Sequence, residues 1–271
     1  MFYRWLVLVV AAAISFGAGD LAAALDEARE SESGAAGFQV APRERPKLTP
    51  WRIFPAAGQF RVDAFVFGSL ESESDFVTLS PDLWYGVGDG VALGLVHSGY
   101  GSHGFWGLPG GICLNDCNDE IYDNVGVRTL ARLHEGDFRI AADAGVLVDL
   151  IGTTEVGLRA GVASQFHRSW IRVELNPTVL IALNERSSGA NDFLLLPVTV
   201  GFVVTPELRF DVQSGYLGPI QDFGDTWSVP ITVGGAYDWH EHLRVGLRVS
   251  YFEVSGDHNP SSLEFFVSIG R

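Results

Sequence analysis

Lysine is almost missing from this chain. Among 271 residues and 18 basic side chains there is one lysine, Lys47, and the other 17 cations are arginines. Basic charge is also in deficit: 33 acidic residues leave a formal net charge of −15, which excludes an electrostatic nucleic-acid binder. After the N-terminal segment no apolar run approaches the ~20 residues of a membrane-spanning helix without a charge or turn residue. No 3.6-residue apolar stripe is present either. Cysteine is scarce, with only Cys113 and Cys117 in ICLNDCNDE. Two sulfurs without a neighbouring histidine argue against a metal site, and they fit a disulfide that staples one loop in an oxidising compartment. What is abundant is glycine, at 32 residues, with 12% aromatic and 47% apolar side chains, a composition that excludes disorder over most of the length. Acidic charge combined with a positive mean hydropathy of +0.18 is unusual for a soluble enzyme. The preference for arginine points to cations held in fixed, partly desolvated hydrogen bonds.

Residues 1–24 carry one cation at Arg4, an apolar stretch from Trp5 to Ile14 and a small-residue exit around Ala22-Ala23-Ala24. These are the parts of a cleaved secretory signal peptide, the alternative being an N-terminal anchor, for which the run is short. Residues 25–58 open with a polar, mixed-charge stretch that holds three of the 12 prolines before residue 51, and they read as a disordered periplasmic tail or linker.

From Gln59 onward the pattern has period two. In Leu243-Arg244-Val245-Gly246-Leu247-Arg248-Val249-Ser250-Tyr251, odd positions are apolar and even positions polar or glycine, and similar alternation marks Ile171–Asn176 and Leu208–Gln213. Twelve such strands are expected, at 59–67, 76–85, 90–99, 121–133, 137–148, 155–166, 169–182, 192–203, 207–217, 226–237, 242–254 and 262–270. Their lengths suit tilted strands crossing a bilayer. An even number puts both chain ends on the same side. Connections alternate between tight turns, such as Gly86-Val87-Gly88-Asp89 and Asp238-Trp239-His240-Glu241, and longer loops, including the stretch from Tyr100 to Glu120. The stretch at Gly152-Thr153-Thr154 is short although it falls on the long-loop side. Aromatic residues near strand ends, namely Tyr85, Phe138, Phe166, Tyr216, Trp227, Tyr237 and Tyr251, form the expected interfacial girdles. The fold class that follows is all-β: a closed antiparallel transmembrane β-barrel over 59–271, with periplasmic termini. A soluble sandwich or lipocalin-like barrel also alternates, but it would show lysine on its wet face.

The units LWYGVGDGVALGL (83–95), FVVTPELRFDV (202–212), AYDWHEHLRVGLRVSYF (236–252) and SLEFFVSIG (262–270) resemble the outer-membrane β-barrel proteins of Gram-negative bacteria, specifically their smaller porin-like members. The first and third look like periplasmic hairpins of the phenol-degradation-pathway type of barrel. The resemblance implies an outer-membrane location, contact with lipid and lipopolysaccharide, insertion by the barrel-assembly machinery, and small solutes as cargo. It implies no cofactor. Such chains commonly end in an aromatic residue, whereas this one ends Ser268-Ile269-Gly270-Arg271, which leaves Phe265 and Phe266 to serve as the assembly signal.

With apolar positions facing lipid, parity sends Arg61, Arg128, Arg132, Arg139, Arg172, Glu174, Arg209, Asp211, Arg244 and Arg248 into the lumen, together with Asp63, Asp82, Asp143, Asp149, Arg159 and Glu264. Arg61, Arg132, Arg139, Arg172, Arg209 and Arg244 fall near periplasmic strand ends and form a basic ring. Such a ring favours anionic solutes in a passive channel. Alternatively, the arginines pair with Asp63, Asp143, Glu174 and Asp211 and stiffen the wall. Acidic loop residues, among them Glu71, Glu73, Asp75, Asp116, Asp119, Glu120, Asp222, Asp225 and Asp257, repel anions at the outer mouth or bind cations that bridge lipopolysaccharide. A closed barrel acting through these loops is the second reading. A lipid-modifying enzyme is the third, and the residues argue against it: His97-Ser98 and Ser102-His103 are adjacent pairs that cannot share one strand face. His97 has outward parity near the outer rim. His134, His167, His240 and His242 fall in periplasmic turns.

Overall fold

The computed structural model describes residues 53, 55–70, 77–97, 111–115, 124–149, 155–184, 192–221, 229–240, 242–251 and 261–270. The signal peptide, the tail before Ile53, Cys117, Trp227, Ser98, Ser102, His103, Gly152-Thr153-Thr154 and the acidic loop residues named above lie outside the described residues.

Fourteen antiparallel segments form one sheet: β1 (Phe60–Ser69), β2 (Val77–Gly88), β3 (Val91–Val96), β4 (Ile112–Asn115), β5 (Asn124–His134), β6 (Phe138–Asp149), β7 (Glu155–Arg168), β8 (Ile171–Leu175), β9 (Thr178–Ala182), β10 (Phe193–Val203), β11 (Leu208–Pro219), β12 (Ile231–His240), β13 (Leu243–Tyr251) and β14 (Ser261–Gly270). They occupy twelve places in the wall. β8 and β9 share one place between β7 and β10, and β3 and β4 both pair with β2. β1 pairs with both β2 and β14, which closes the barrel. Closure gives β1 a partner on both sides, as a lipid environment demands of backbone N–H and C=O groups.

Both interruptions have local causes. Pro177 has no N–H to give the ladder between β8 and β9. Its carbonyl still accepts from Val162 N at 2.9 Å, and the Asn176 side chain accepts from Ser164 N at 3.1 Å in place of a backbone partner. At the other break, Asp82 Oδ1 takes the His97 N–H at 2.7 Å, and the His97 ring contacts the Pro81 carbonyl. The β3 ladder therefore stops at Val96. With 12 residues in β2 against six in β3, the first residues of β2 need another partner, and Ile112–Asn115 provides it beside Val77, Thr78 and Leu79. This corrects the expectation that all of Tyr100–Glu120 is an external loop. Gly111 makes the return possible. Its φ is +106°, and a Cβ there would lie 2.6 Å from Leu79 O and 3.1 Å from His97 Cβ. His97 is buried instead of facing outward, because its parity ends with the ladder.

The burial pattern inverts that of a soluble protein. Asp63, Asp82 and Glu264 are 1% exposed, whereas Leu83 and Tyr237 are 45% exposed on the outer surface. Polar residues inside and an apolar band outside make the wall a transmembrane one. At the rim carrying the short turns, Phe60 meets Tyr85 at a tilt of 36° (centroids 4.6 Å apart), Trp170 stacks on Phe202 (6.0 Å), and Trp239 meets Tyr237 edge-on (6.3 Å). With exposed Phe138 and Phe210 these rings form one interfacial girdle.

The glycine excess has a structural use inside the barrel. Gly94, Gly145, Gly234 and Gly246 each pair directly across from a large inward side chain, namely Trp84, Arg128, Arg248 and Phe266. Each large side chain lies flat over the neighbouring glycine, where a Cβ would collide with it. At Gly94 that Cβ would sit 2.6 Å from the Trp84 ring. Gly94→Val is expected to destabilise the barrel by about 1–3 kcal/mol through overpacking, read from urea unfolding of the detergent-solubilised protein; Trp84→Ala in the same background recovers part of the loss.

Candidate functional site

The interior is built from the second residue of strand after strand. Arg61, Arg139, Arg172, Arg209 and Arg244 each hold that position in β1, β6, β8, β11 and β13, and Arg132 is third from the end of β5. Position in the strand sets depth, so all six lie near the short-turn rim. Arg132 is the most exposed of them and joins Glu135 and Asp89 at the rim itself. Arg61 pairs with Asp63 at 2.9 Å, and Arg172 lies 3.3 Å from Glu174. Arg209 and Arg244 converge on one carboxylate, Asp238, with Arg244 Nε donating at 2.6 Å.

Asp238 is a residue the turn reading of Asp238-Trp239-His240-Glu241 misses. β12 continues to His240, with a register shift between Asp238 and His240 that keeps the carboxylate inward. Parity from Asp211 through its neighbour on β12, Gly234, was the available signal.

Further from this rim the pairing tightens. Arg248 bridges Asp211 (3.2 Å) and Glu264 (2.8 Å), with its guanidinium carbon 4.3 Å from the Phe266 ring centroid. Asp143 holds two arginines, accepting from Arg128 at 2.7 and 3.0 Å and from Arg159 at 2.9 Å. Trp84 lies between Arg61 (5.6 Å) and Arg128 (5.3 Å) in cation–π contact with both. Of the sequence-derived interior arginines, Arg61, Arg128, Arg172 and Arg248 meet acids expected in the wall-stiffening alternative, whereas Arg209 and Arg244 meet Asp238, and Arg132 meets Asp89 and Glu135.

Apolar inward residues are the other omission. Phe65, Phe67 and Phe266 have the parity of Asp63 and Glu264 and pack together inside with Ala236. Phe266 therefore faces the interior of the finished barrel, whereas Phe265, the other residue expected to serve as a signal, has outward parity.

Between these elements lies a cavity of about 60 Å³, room for a handful of waters, lined by Arg172, Arg209, Arg244, Arg248, Phe65 and Phe266 among others. A second, of about 160 Å³, opens at the rim between Ile53, Ala56, Arg132, Arg139 and His134. Arg172 Nε has the 3.3 Å ion pair with Glu174, whereas, among the described residues, Arg139 Nη1 and Arg209 Nε are buried without a hydrogen-bond partner. These are cationic donors with capacity left for an anion or water. Among the described residues, no three His, Cys, Asp or Glu side chains converge as a metal site would need. Cys113, on β4, is disulfide-bonded.

No family model and no curated protein matches the chain. Among solved structures, the NanC porin is similar at a TM-score of 0.57 and 11% identity, over 77% of this chain and 98% of that one. The KdgM porin follows at 0.53 and 8%, with the same coverage of both chains. At such identities the likeness is one of fold: this chain shares the closed antiparallel outer-membrane barrel of those two proteins, with twelve places in its wall.

Proposed function

We propose that this chain is an outer-membrane channel for passive diffusion of small solutes, with a preference for anions. The observation that supports it is the ring of six arginines at one depth, of which Arg172, Arg209 and Arg244 line the interior cavity. A barrel serving only as a scaffold has no use for so many like charges gathered at one depth, where they repel one another. An anion threading past Arg172, Arg209 and Arg244 meets paired donors in turn.

The same reading assigns residues 1–24 to export and outward Phe265 to recognition by the barrel-assembly machinery. The acidic loops then contact lipopolysaccharide through divalent cations, and the short-turn rim with both ends of the barrel domain faces the periplasm. The disulfide of Cys113 closes on Cys117, since the chain has no third cysteine. One observation favours the closed-barrel reading: the acids Asp63, Asp82 and Glu264 are nearly inaccessible, so the passage at rest is narrow.

Purified protein in a planar bilayer under a tenfold KCl gradient is expected to show a reversal potential of the sign that marks chloride as the faster ion. Cation preference would defeat the anion reading, and complete silence at all voltages would defeat the channel.

A further inference from the structure

We infer that the residues just before β1, Ile53 and Pro55–Ala57, are a plug seated inside the barrel, which occludes one side of the lumen and opens the channel when it leaves. The inference rests on the channel reading above. Its basis is the direction in which the chain enters the barrel. Ala57 bridges to Gly86 in parallel, and β2 runs from the long-loop rim toward the short-turn rim. Just before β1, then, the chain travels down the wall from within and reverses at the rim. The reversal is a turn closed by Gln59 N donating to Ala56 O at 2.9 Å, with Gly58 at a φ of +75°.

The seat is shaped for this segment. Gly86 has the inward parity of Asp82 and Trp84, and the Ala56 carbonyl oxygen lies where its Cβ would be. Gly58 N donates to Gly86 O at 2.8 Å, and Arg61 Nη1 reaches the Ile53 carbonyl at 3.3 Å. Pro55 is buried. Ile53 packs on an inward apolar floor of Trp84, Ala92, Val96, Leu130, Ala141 and Ala163, contributed by β2, β3, β5, β6 and β7. Small residues at Ala92, Ala141 and Ala163 leave the depth that an isoleucine fills. An apolar floor of this kind inside a water-filled pore would be costly if left wet, and the segment covers it. The arginine-lined cavity lies on the other side, against β1, β8 and β10–β14. The polarity reading that ends the tail at residue 58 therefore needs moving: its last residues belong to the barrel interior, because Ile53 and Pro55 find apolar contact there.

The test uses full-length protein carrying Ala56→Cys as a reporter, alone and combined with Ile53→Asp or Gly86→Val. Ile53→Asp removes the anchor without touching the wall; Gly86→Val fills the seat. Barrel formation is checked by the mobility shift between unheated and heated samples. Reaction with a membrane-impermeant maleimide is expected to speed up at least tenfold in both combinations, and single-channel conductance to rise at least about threefold. Unchanged labelling in a folded Ile53→Asp variant would overturn the seat. Faster labelling with conductance equal to that of the parent would overturn occlusion while leaving the channel reading intact. Faster labelling with no current from any variant would overturn both.

Discussion

Asp143→Asn lowers the stability of the barrel by about 3–5 kcal/mol, the expected cost of taking the counterion from a buried charge cluster. The Asp143 carboxylate is the shared acceptor of Arg128 and Arg159, with bonds of 2.7 to 3.0 Å, and all three side chains are at most 7% exposed. Asparagine keeps the shape and leaves two guanidiniums adjacent without the charge that separates them. The strands are fixed by the ladder from β5 to β6 to β7, so the arginines cannot withdraw to water without disturbing Gly145, over which Arg128 lies. Urea titration in detergent micelles, followed by the folded and unfolded bands on unheated gels, measures the loss. Adding Arg128→Gln should recover a good part of it, because the two positions are coupled through one hydrogen-bonded pair. A loss below about 1 kcal/mol would show that water reaches the cluster and screens it as it screens a surface pair.

The largest functional effect is expected at Asp238, and its sign is the informative part. This single carboxylate is shared by Arg209 and Arg244, so the trio carries a net charge of +1 that removing it would raise to +2. Asp238→Asn should raise the chloride-to-potassium permeability ratio severalfold, whereas Arg209→Ala and Arg172→Ala should lower it. Both changes act on the same ring from opposite sides. The shift should be large at 0.1 M salt and shrink toward 1 M, where the screening length falls to about 3 Å. Identical reversal potentials for all three variants would place the ring off the conduction path. A ratio that falls in Asp238→Asn would mean that freed Arg209 and Arg244 obstruct the passage instead of attracting ions.

Much of the wall was readable because period two is a covalent property of an extended chain. Once Leu243, Val245 and Leu247 are outward, Arg244 and Arg248 have nowhere to point but inward, and the same holds for Arg209 with Asp211 and for Arg172 with Glu174. Arginine without lysine on that face was a second signal, since guanidinium forks suit fixed pairs. Apolar residues on the inner face were harder. Hydropathy sends Phe65, Phe67 and Phe266 to lipid, yet a packed lumen accepts them equally well, and only their neighbours show which side they take. Segment ends were hardest of all. Asp238 lies in residues with turn chemistry, and His97 follows a ladder that a side chain, Asp82, brings to an end.

By itself, then, the order of residues determined the alternation, the number of wall places and the inward set of arginines, since each depends on neighbours one or two positions apart. Which acid meets which arginine was decided in three dimensions. Asp143 and Arg159 are 16 residues apart, Arg209 and Asp238 are 29, and Arg248 and Asp211 are 37; strand register alone brings them together. Register also placed Gly94, Gly145, Gly234 and Gly246 beneath their large neighbours, a match between two strands that neither shows alone. Tertiary structure likewise turned the chain before β1 back into the lumen, because the space above Gly86 exists only once the wall has closed.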